Sequence, residues 1–266
     1  MKLTAPIYHL KRRAKRLSRE EAIPLHEALD RIAVQEGYST WSLLAARQTT
    51  AGTAASMLAP LAPGDLVVLG ARPGQGKTLK SLELAVEAMR AGHRAYFFTL
   101  EYTVTDVIER FATIRADHGR FAPLFEIDCS DTISADHIVG KLSKADPGTL
   151  VVVDYLQLLD QRRDNPALGD QVRKLRAFAR QRGLIIIFIS QIDRSFEAAV
   201  KPLPDLDDIR MPNPVDLPLF DKAYFLNKGE ATAGDKLKQE PASLTPGTYF
   251  PMLRYRFKGS NAEASQ

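Results

Sequence analysis

Short apolar runs recur along the middle of the chain and alternate with longer segments of helical periodicity. The runs lie at Leu66–Leu69, Ala95–Leu100, Leu150–Val153 and Leu184–Ile189, with a weaker one at Phe125–Cys129. Unbroken apolar strands of this kind are typical of a parallel sheet that is covered on both faces. The intervening helices are predicted at Thr78–Ala91, Val104–Arg115, Ala135–Lys144 and Gly169–Arg182. The pattern therefore predicts an α/β fold with a mostly parallel central sheet flanked by helices.

The two ends of the chain follow different patterns. Near the N-terminus, Leu25, Ala28 and Ile32 lie on one face of a predicted helix, which Gly37 would end. Beyond Ser190 we predict, in chain order, an irregular surface loop at residues 197–220, a strand at Ala223–Asn227, a polar segment at Gly229–Thr248 and a strand at Tyr249–Phe257. The predicted domains are a short basic helical module at 1–48, a linker at 49–63, the α/β domain at 64–259 and a disordered tail at 260–266.

Composition and charge narrow the class of protein. Hydrophobic residues make up 45% of the chain and charged residues 26%, as in ordinary globular proteins. No apolar run approaches the roughly 20 residues of a membrane-spanning helix, so no membrane association is expected. Cys129 is the only cysteine and no secretion signal precedes the first helix, which favours a cytoplasmic location. The net charge of +4 permits nucleic-acid binding, and basic residues crowd the first twenty positions.

A glycine-rich turn joins the first apolar run to the helix that follows it. Its sequence, Ala71-Arg-Pro-Gly-Gln-Gly-Lys-Thr78, is close to the phosphate-binding pattern G-x-x-x-x-G-K-[ST], with Ala71 in place of the first glycine. Backbone N–H groups in such a turn can surround phosphate oxygens, Lys77 can reach the β- and γ-phosphates of ATP, and the Thr78 hydroxyl can ligate Mg²⁺. A plain turn before a helix is the alternative. The candidate nucleotide-binding residues are Arg72, Pro73, Gly74, Gln75, Gly76, Lys77 and Thr78.

Asp154 directly follows the apolar run Leu150–Val153. The carboxyl ends of parallel strands meet at one edge of a sheet, so this carboxylate is expected beside the glycine-rich turn. There it could hold Mg²⁺ directly or through water. An ordinary aspartate at a strand end is the alternative. The sequence thus predicts ATP and Mg²⁺ as cofactors, with Thr78 and Asp154 as the metal-binding residues.

Four segments in order resemble the motifs of DnaB-type replicative helicases. They are Pro63–Thr78, Phe98–Glu101, Asp154–Leu159 and Ser190–Ser195, and that family commonly has alanine at the position of Ala71. The resemblance implies a RecA-like P-loop ATPase core. It also implies catalytic roles for three residues: Lys77, Glu101 as the general base that orients the attacking water, and Gln191 as a γ-phosphate sensor. The first 50 residues do not resemble the larger N-terminal domain of the family, which is therefore expected to be lacking.

The same resemblance bears on assembly and on DNA. Family members donate a basic pair near the C-terminus to the ATP of a neighbouring subunit, which would make this chain a homo-oligomer, a hexamer in that family. Arg254, Arg256 and Lys258 lie near that place, although they could equally form the polar face of an edge strand. Two basic segments, Lys11–Arg19 and Gly169–Arg182, could contact DNA or could be solvated or interface surfaces.

Two functions remain in competition at this point. One is an ATP-hydrolysing, helicase-like enzyme that acts on single-stranded DNA. The other is a nucleotide-dependent switch or binding module that signals to a protein partner through residues 1–48, without unwinding. The complete set of Lys77, Thr78, Glu101, Asp154 and Gln191 favours the enzyme. The short N-terminal module favours the switch.

Overall fold

A seven-stranded sheet forms the centre of the protein. The computed structural model describes residues 3–5, 7–45, 52–160, 165–197, 204–210, 215–227 and 230–233. The strands are β1 (Leu66–Ala71), β2 (Ala95–Thr99), β3 (Phe125–Asp128), β4 (Leu150–Asp154), β5 (Ile185–Gln191), β6 (Lys222–Asn227) and β7 (Glu230–Ala233). They lie in the order β3-β2-β4-β5-β1-β6-β7. Strands β1 to β6 are parallel and β7 runs antiparallel to β6, which confirms the predicted α/β class.

Helices and short 3₁₀ turns connect the strands. The helices are α1 (Ile7–Glu20), α2 (Leu25–Gln35), α3 (Ala54–Leu58), α4 (Lys77–Arg90), α5 (Val104–Thr113), α6 (His118–Phe121), α7 (Ala135–Lys141) and α8 (Leu168–Arg182). The 3₁₀ turns are Leu156–Asp160, Arg194–Glu197, Leu206–Asp208 and Leu217–Leu219. Among the described residues, no helix is both long and apolar enough to cross a bilayer.

The sheet is buried on both faces, as its unbroken apolar strands predict. Alternate residues of β1 point to opposite faces, so Leu66 packs in a cluster with Val172 of α8 and Val67 in a second cluster with Leu82 of α4. This sandwich fixes the directions of β1 and α4. The turn between them is therefore held at the carboxyl edge of the sheet.

The N-terminal helices have an apolar cluster of their own. Helices α1 and α2 pack against each other, and residues 41–45 form a further helical turn. Gly37, with φ of 83°, terminates the α2 region as predicted. The cluster consists of Leu10, Ala14, Ala28, Ile32, Ala33, Tyr38 and Leu44. The boundary at residue 48 stays a prediction.

Two irregular segments of the sequence prediction are more ordered than expected. Part of the predicted linker is α3, which Thr53 caps by accepting a hydrogen bond from Ser56 N, and whose Met57 is buried. Residues 54–58 of the predicted linker are therefore helical, and the linker bounds stay a prediction. The described parts of the predicted surface loop at 197–220 contain two 3₁₀ turns and bury Ile209 and Phe220 in the main core. That loop is tied to the sheet because Ile209 forms a bridge with the residue just beyond β5.

The polar segment predicted at Gly229–Thr248 also begins differently. Residues Glu230–Ala233 form β7, which pairs with β6 from Asn227↔Glu230 to Tyr224↔Ala233. The predicted strand Tyr249–Phe257 and the predicted disordered tail at 260–266 lie outside the described residues.

Candidate active site

Four neighbouring strands bring the predicted site residues to one edge of the sheet. Strand β1 ends at Ala71 before the glycine-rich turn, β4 ends at Asp154 and β5 ends at Gln191. Glu101 follows the end of β2, the strand paired with β4. Since all four strands are parallel, their carboxyl ends lie side by side, which is where open α/β sheets bind ligands.

The turn between β1 and α4 has the backbone geometry of a phosphate-binding loop. Gly74 and Gly76 have φ of 77° and 80°, a region that strains residues with a side chain. A Cβ atom built on either glycine would meet no atom within 4 Å, so the space above the turn is open. Helix α4 starts at Lys77, and its first N–H groups face this space with the positive end of the helix dipole.

Lys77, Thr78 and Asp154 form the buried floor of the site. Lys77 is 9% exposed, Thr78 6% and Asp154 0%. The Thr78 hydroxyl donates to Asp154 Oδ2 at 3.0 Å. The other carboxylate oxygen, Asp154 Oδ1, is buried without a hydrogen-bond partner among the described residues. A buried polar atom without a partner is costly, so a ligand placed next to Asp154 Oδ1 would offset that cost.

Burial raises the pKa of the Asp154 carboxyl to about 6, and the negative charge of Glu101 adds to this rise. The positive charges of Lys77 and Arg110 and the hydrogen bond from Thr78 lower this pKa, but they do not cancel the rise. A carboxylate that is costly to ionise when buried is stabilised by a cation placed against it. The electrostatics therefore fit a cation beside Asp154.

The donor set suits Mg²⁺, which prefers a few protein oxygens and keeps several waters. Asp154 Oδ1 and the Thr78 hydroxyl supply such oxygens. Within the described part of the chain, no group of three or more His, Cys, Asp or Glu side chains could form an all-protein metal cage. Thr78 and Asp154 are thus the residues that could hold a hydrated magnesium ion.

A cleft of about 420 Å³ opens beside Lys77 and Thr78. Its walls come from the glycine-rich turn, the start of α4 and helix α5: Gly74, Gly76, Lys77, Thr78, Leu79, Tyr102, Glu109, Arg110 and Thr113. The Arg110 guanidinium carbon lies 3.9 Å from the centroid of the Tyr102 ring, and its Nη1 donates to Asp106 O at 2.7 Å. Four of these cleft residues were predicted from the glycine-rich motif, namely Gly74, Gly76, Lys77 and Thr78.

Tyr102, Glu109 and Arg110 line the cleft, although the sequence motifs did not predict them there. A signal was available, because Tyr102 follows Glu101 directly and the predicted helix from Val104 carries Arg110 two turns along. The motif nevertheless gave no reason for that helix face to turn toward the P-loop rather than to solvent.

Glu101, Gln191 and Arg72 were also predicted to belong to the site, and their contacts differ. Glu101 is exposed, and its charge acts on Asp154. Gln191 is paired in register with Ala71 at the root of the turn, and its backbone oxygen accepts from Arg210 N at 2.7 Å. The Arg72 side chain donates to Ile192 O at 2.9 Å and to Glu197 at 2.8 Å. Arg72 is therefore directed to the segment after β5, and only its backbone remains a candidate for phosphate contact.

Five further predicted residues belong to the turn or lie outside the described part of the chain. Pro73 and Gln75 belong to the turn, and Gln75 N donates to Arg72 O at 3.2 Å. Their contact with nucleotide stays a prediction, as do the roles of Lys77, Glu101 and Gln191. Arg254, Arg256 and Lys258 lie outside the described residues.

Comparisons with known proteins found helicases that are similar to this chain. A family model described as DnaB-like helicase C terminal domain matches residues 115–217. That range includes Asp154 and Gln191 but not the glycine-rich turn, which therefore rests on its own sequence and geometry. The solved structure of a DnaB-like replicative helicase matches with a TM-score of 0.54 and 18% identity, over 82% of this chain and 66% of that chain. At this identity the match shows the fold alone.

Curated relatives point in the same direction. A probable plasmid replicative DNA helicase of Chlamydia trachomatis serovar L2 is 26% identical over 204 residues, covering 65% of this chain and 45% of the relative. The replicative DNA helicase DnaB of Mycoplasma genitalium is 26% identical over 213 residues, covering 67% of this chain and 45% of the relative. The chain thus spans about half the length of these relatives. The chain is thus similar to DnaB-type replicative helicases, and its parallel sheet has the fold of a solved structure from that group.

Proposed function

We propose that this chain is an Mg²⁺-dependent, ATP-hydrolysing enzyme of the DnaB-like type that acts on single-stranded DNA. The observation that carries the proposal is the pairing of Thr78 with Asp154 at 3.0 Å, with the second Asp154 oxygen buried and unpartnered among the described residues, beneath an open glycine turn. A site for a phosphate chain and a hydrated cation accounts for all three features, whereas a plain turn before a helix accounts for none of them.

The chain's own residues would divide the work of ATP hydrolysis as follows. The N–H groups of the turn and the start of α4 bind phosphate oxygens, and the Lys77 ammonium neutralises their charge. Bound Mg²⁺ would supply further neutralisation of the phosphate charge as it develops, held by Thr78 and Asp154. Glu101 follows β2 on the side of Asp154, where its carboxylate orients a water and accepts its proton. Gln191 lies next to Ala71 in register and can donate its amide to a phosphate oxygen.

Gln191 also suggests how loss of the γ-phosphate could reach the segment at residues 204–210. Its backbone oxygen holds Arg210 N, and Gln157 Nε2 donates to Arg210 O at 2.7 Å. Movement of Gln191 would thus pull directly on the segment around residues 204–210. In the proposed enzyme the position of this segment would therefore respond to the state of the nucleotide.

The test is ATP turnover measured with and without single-stranded DNA. We expect Mg²⁺-dependent hydrolysis that single strands stimulate. Lys77→Ala should abolish both binding and hydrolysis, whereas Glu101→Gln should abolish hydrolysis and retain Mg-ATP binding. Wild-type protein that takes up no Mg-nucleotide in calorimetry would overturn the proposal.

One observation favours the switch as a second candidate. The N-terminal helices leave three large apolar side chains exposed: Leu25 at 42%, Val34 at 62% and Leu43 at 53%. Exposed apolar side chains are compatible with contact to another protein, and scattered ones also occur on monomeric proteins. The switch predicts slow turnover that no nucleic acid changes. The measured ratio of turnover with DNA to turnover without it therefore decides between the two functions.

A further inference from the structure

We propose that helix α1 is a nucleic-acid-binding surface that contacts the phosphate backbone of DNA, separate from the ATP site and independent of ATP hydrolysis. The surface consists of four exposed basic side chains, Arg12, Lys15, Arg16 and Arg19. We call it the α1 basic face.

The α1 basic face lies opposite the packed side of its helix. Leu10 and Ala14 are fully buried against α2. At 3.6 residues per turn, the four cations fall in a band about 100° wide that is centred on the side away from Leu10. They extend over about 10 Å of helix axis from Arg12 to Arg19. Phosphates of one DNA strand recur about every 3.4 Å of the DNA axis, so a helix segment of this length could contact several of them at once.

The cations of the α1 basic face are largely free, unlike those of the other basic helix, α8. Each of the five basic side chains on α8 has a partner: Arg173 with Asp170 and Asp216, Lys174 with Asp136, Arg176 and Arg180 with Asp221, and Arg182 with Ala145 O. Within the described residues, no acidic side chain lies within ion-pair distance of Arg12, Lys15 or Arg19, and Arg16 reaches only the neighbouring Glu20, at 3.5 Å. The structure therefore neutralises one basic helix and leaves the other available to an external polyanion.

The positive charge of the whole chain is concentrated in its first twenty residues. Seven of the 36 Lys and Arg residues, but one of the 32 Asp and Glu residues, fall within residues 1–20. That segment has a formal charge of +6, so the other 246 residues together have −2. A polyanion attracted to this protein is thus attracted mainly to its N-terminal helix.

The buried side of α1 argues against a membrane as the anionic partner. A basic amphipathic helix binds lipid by inserting its apolar face between headgroups. In this protein that face is occupied, because Leu10 and Ala14 pack on Ile32 and its neighbours in α2. Nucleic acid needs only the charged side. Since Lys and Arg contacts to phosphate carry no sequence information, we expect little sequence preference.

The test uses the full chain and a triple variant, Arg12→Ala, Lys15→Ala and Arg19→Ala. Alanine preserves helix propensity, and the replaced side chains are exposed. Binding to short labelled single-stranded and duplex DNA is measured by fluorescence anisotropy without nucleotide, over about 50 to 200 mM salt. We expect at least tenfold weaker binding by the triple variant. For duplex DNA we also expect the slope of log affinity against log salt to fall by about 0.9 for each lost contact.

The matched control removes three exposed cations that are ion-paired: Arg90→Ala, Arg173→Ala and Lys174→Ala. It makes the same change in net charge, and we expect its DNA affinity to stay within about twofold of wild type. Lys77→Ala should also bind DNA like wild type, so failure of the ATPase proposal would leave this result intact. Equal losses in the triple variant and the control would overturn the proposal, as would no loss in a triple variant that keeps its helical circular dichroism. Loss of binding to phosphatidylserine vesicles but not to DNA would overturn it as well.

Discussion

Asp154 is fully buried at the end of β4, yet one of its carboxylate oxygens has no hydrogen-bond partner in the described structure. A protein that needed only stability would place an apolar residue here, because removing charge from water is costly. The Thr78 hydroxyl satisfies one oxygen and Lys77 is nearby, but the pKa of Asp154 still rises to about 6. The residue thus reduces stability in the empty protein and, in the proposed function, contributes to binding of the metal-nucleotide complex.

The raised pKa of Asp154 predicts a pH-dependent loss of folding stability, which we call the cost of Asp154. In metal-free protein, the folded state binds the proton more tightly than the unfolded state, whose pKa is about 3.9. The cost is therefore absent below about pH 4, grows up to about pH 6 and is complete above that. A difference of this size between the two pKa values corresponds to about 3 kcal/mol. We expect Asp154→Asn to be more stable than wild type at pH 7.5 by up to this amount, measured by urea unfolding in EDTA.

The same experiment at pH 4 is the internal control, because Asp154 is protonated there in the folded protein. The stability gain of Asp154→Asn should shrink toward zero at that pH. A gain that is equal at the two pH values would show that the aspartate is not destabilised by its charge. Added Mg-nucleotide should reverse the order at pH 7.5, because ligand stabilises wild type more than the variant.

Arg110 is the other residue whose position suggests a direct role at the site. It lines the cleft, stacks on Tyr102 and lowers the pKa of Asp154 through its charge. Hydrogen bonds to charged groups contribute about 1.5 to 3 kcal/mol, so we expect Arg110→Ala to weaken Mg-ATP binding by about tenfold or more in calorimetry. Arg110→Lys should recover part of the affinity. Arg90→Ala, which removes an exposed cation elsewhere, should leave it unchanged, and an unchanged affinity in Arg110→Ala would exclude a phosphate contact.

At the scale of elements, the junction of β1 with β6 depends on a missing side chain. A Cβ on Gly70 would lie 2.9 Å from the Phe225 ring and 3.1 Å from Ile192 Cδ1. We expect Gly70→Ala to reduce the free energy of unfolding by about 1 to 3 kcal/mol, because an extra methyl group overpacks the core there. Phe225→Leu in the same chain should relieve part of that loss.

Gly140→Ala is the matched control for this substitution in denaturant unfolding. Gly140 lies in α7 with no atom near the Cβ position, so alanine there should stabilise by about 0.5 to 1 kcal/mol. If both glycines respond alike, then the space filled by Phe225 does not explain the effect at Gly70.

Elements with a strong internal pattern were predictable from sequence, and those that depend on a neighbour were not. The predicted helix Thr78–Ala91 is α4, and the run Leu150–Val153 is β4, because apolar spacing alone decides both. Helix α3 has five residues and is too short to be stable by itself. It is held by tertiary contacts such as the bond from Tyr224 Oη to Met57 O at 2.8 Å. Strand β7 has four residues, which are too few for the alternation of alanine with polar residues to predict a strand, so its pairing with β6 defines it.

The candidate site divides in the same manner. The positions of Lys77, Thr78 and Asp154 were predictable. Lys77 and Thr78 follow the glycine-rich turn and Asp154 ends an apolar strand, and both features place residues at the carboxyl edge of a parallel sheet. Arg110 was not, since its position depends on how α5 is rotated over the glycine turn. The direction of the Arg72 side chain was not predictable either, because its partners Ile192 and Glu197 lie more than a hundred residues away.

At the scale of the whole molecule, the proposed function and the further inference together assign three surfaces to different partners. The cleft at the sheet edge takes the nucleotide, the α1 basic face takes DNA, and a neighbouring subunit would complete the ATP site with Arg254, Arg256 or Lys258. The first two lie within described parts of the chain, whereas the third depends on residues outside them. Assembly is therefore the property that most directly tests the molecule as a whole.

We expect the 29.5 kDa chain to form a hexamer when Mg²⁺, a non-hydrolysable ATP analogue and single-stranded DNA are all present. Nucleotide between subunits would link each cleft to the next protomer, so binding and assembly would stabilise each other. The measurement is molar mass by light scattering, in buffer alone and with each ligand set. Lys77→Ala should fail to assemble under the same conditions, because it cannot hold the nucleotide that joins the subunits. A wild-type protein that binds Mg-nucleotide and DNA but keeps its monomer mass in every condition would contradict the ring. It would favour instead the nucleotide-dependent switch, in which the N-terminal helices signal to a different protein.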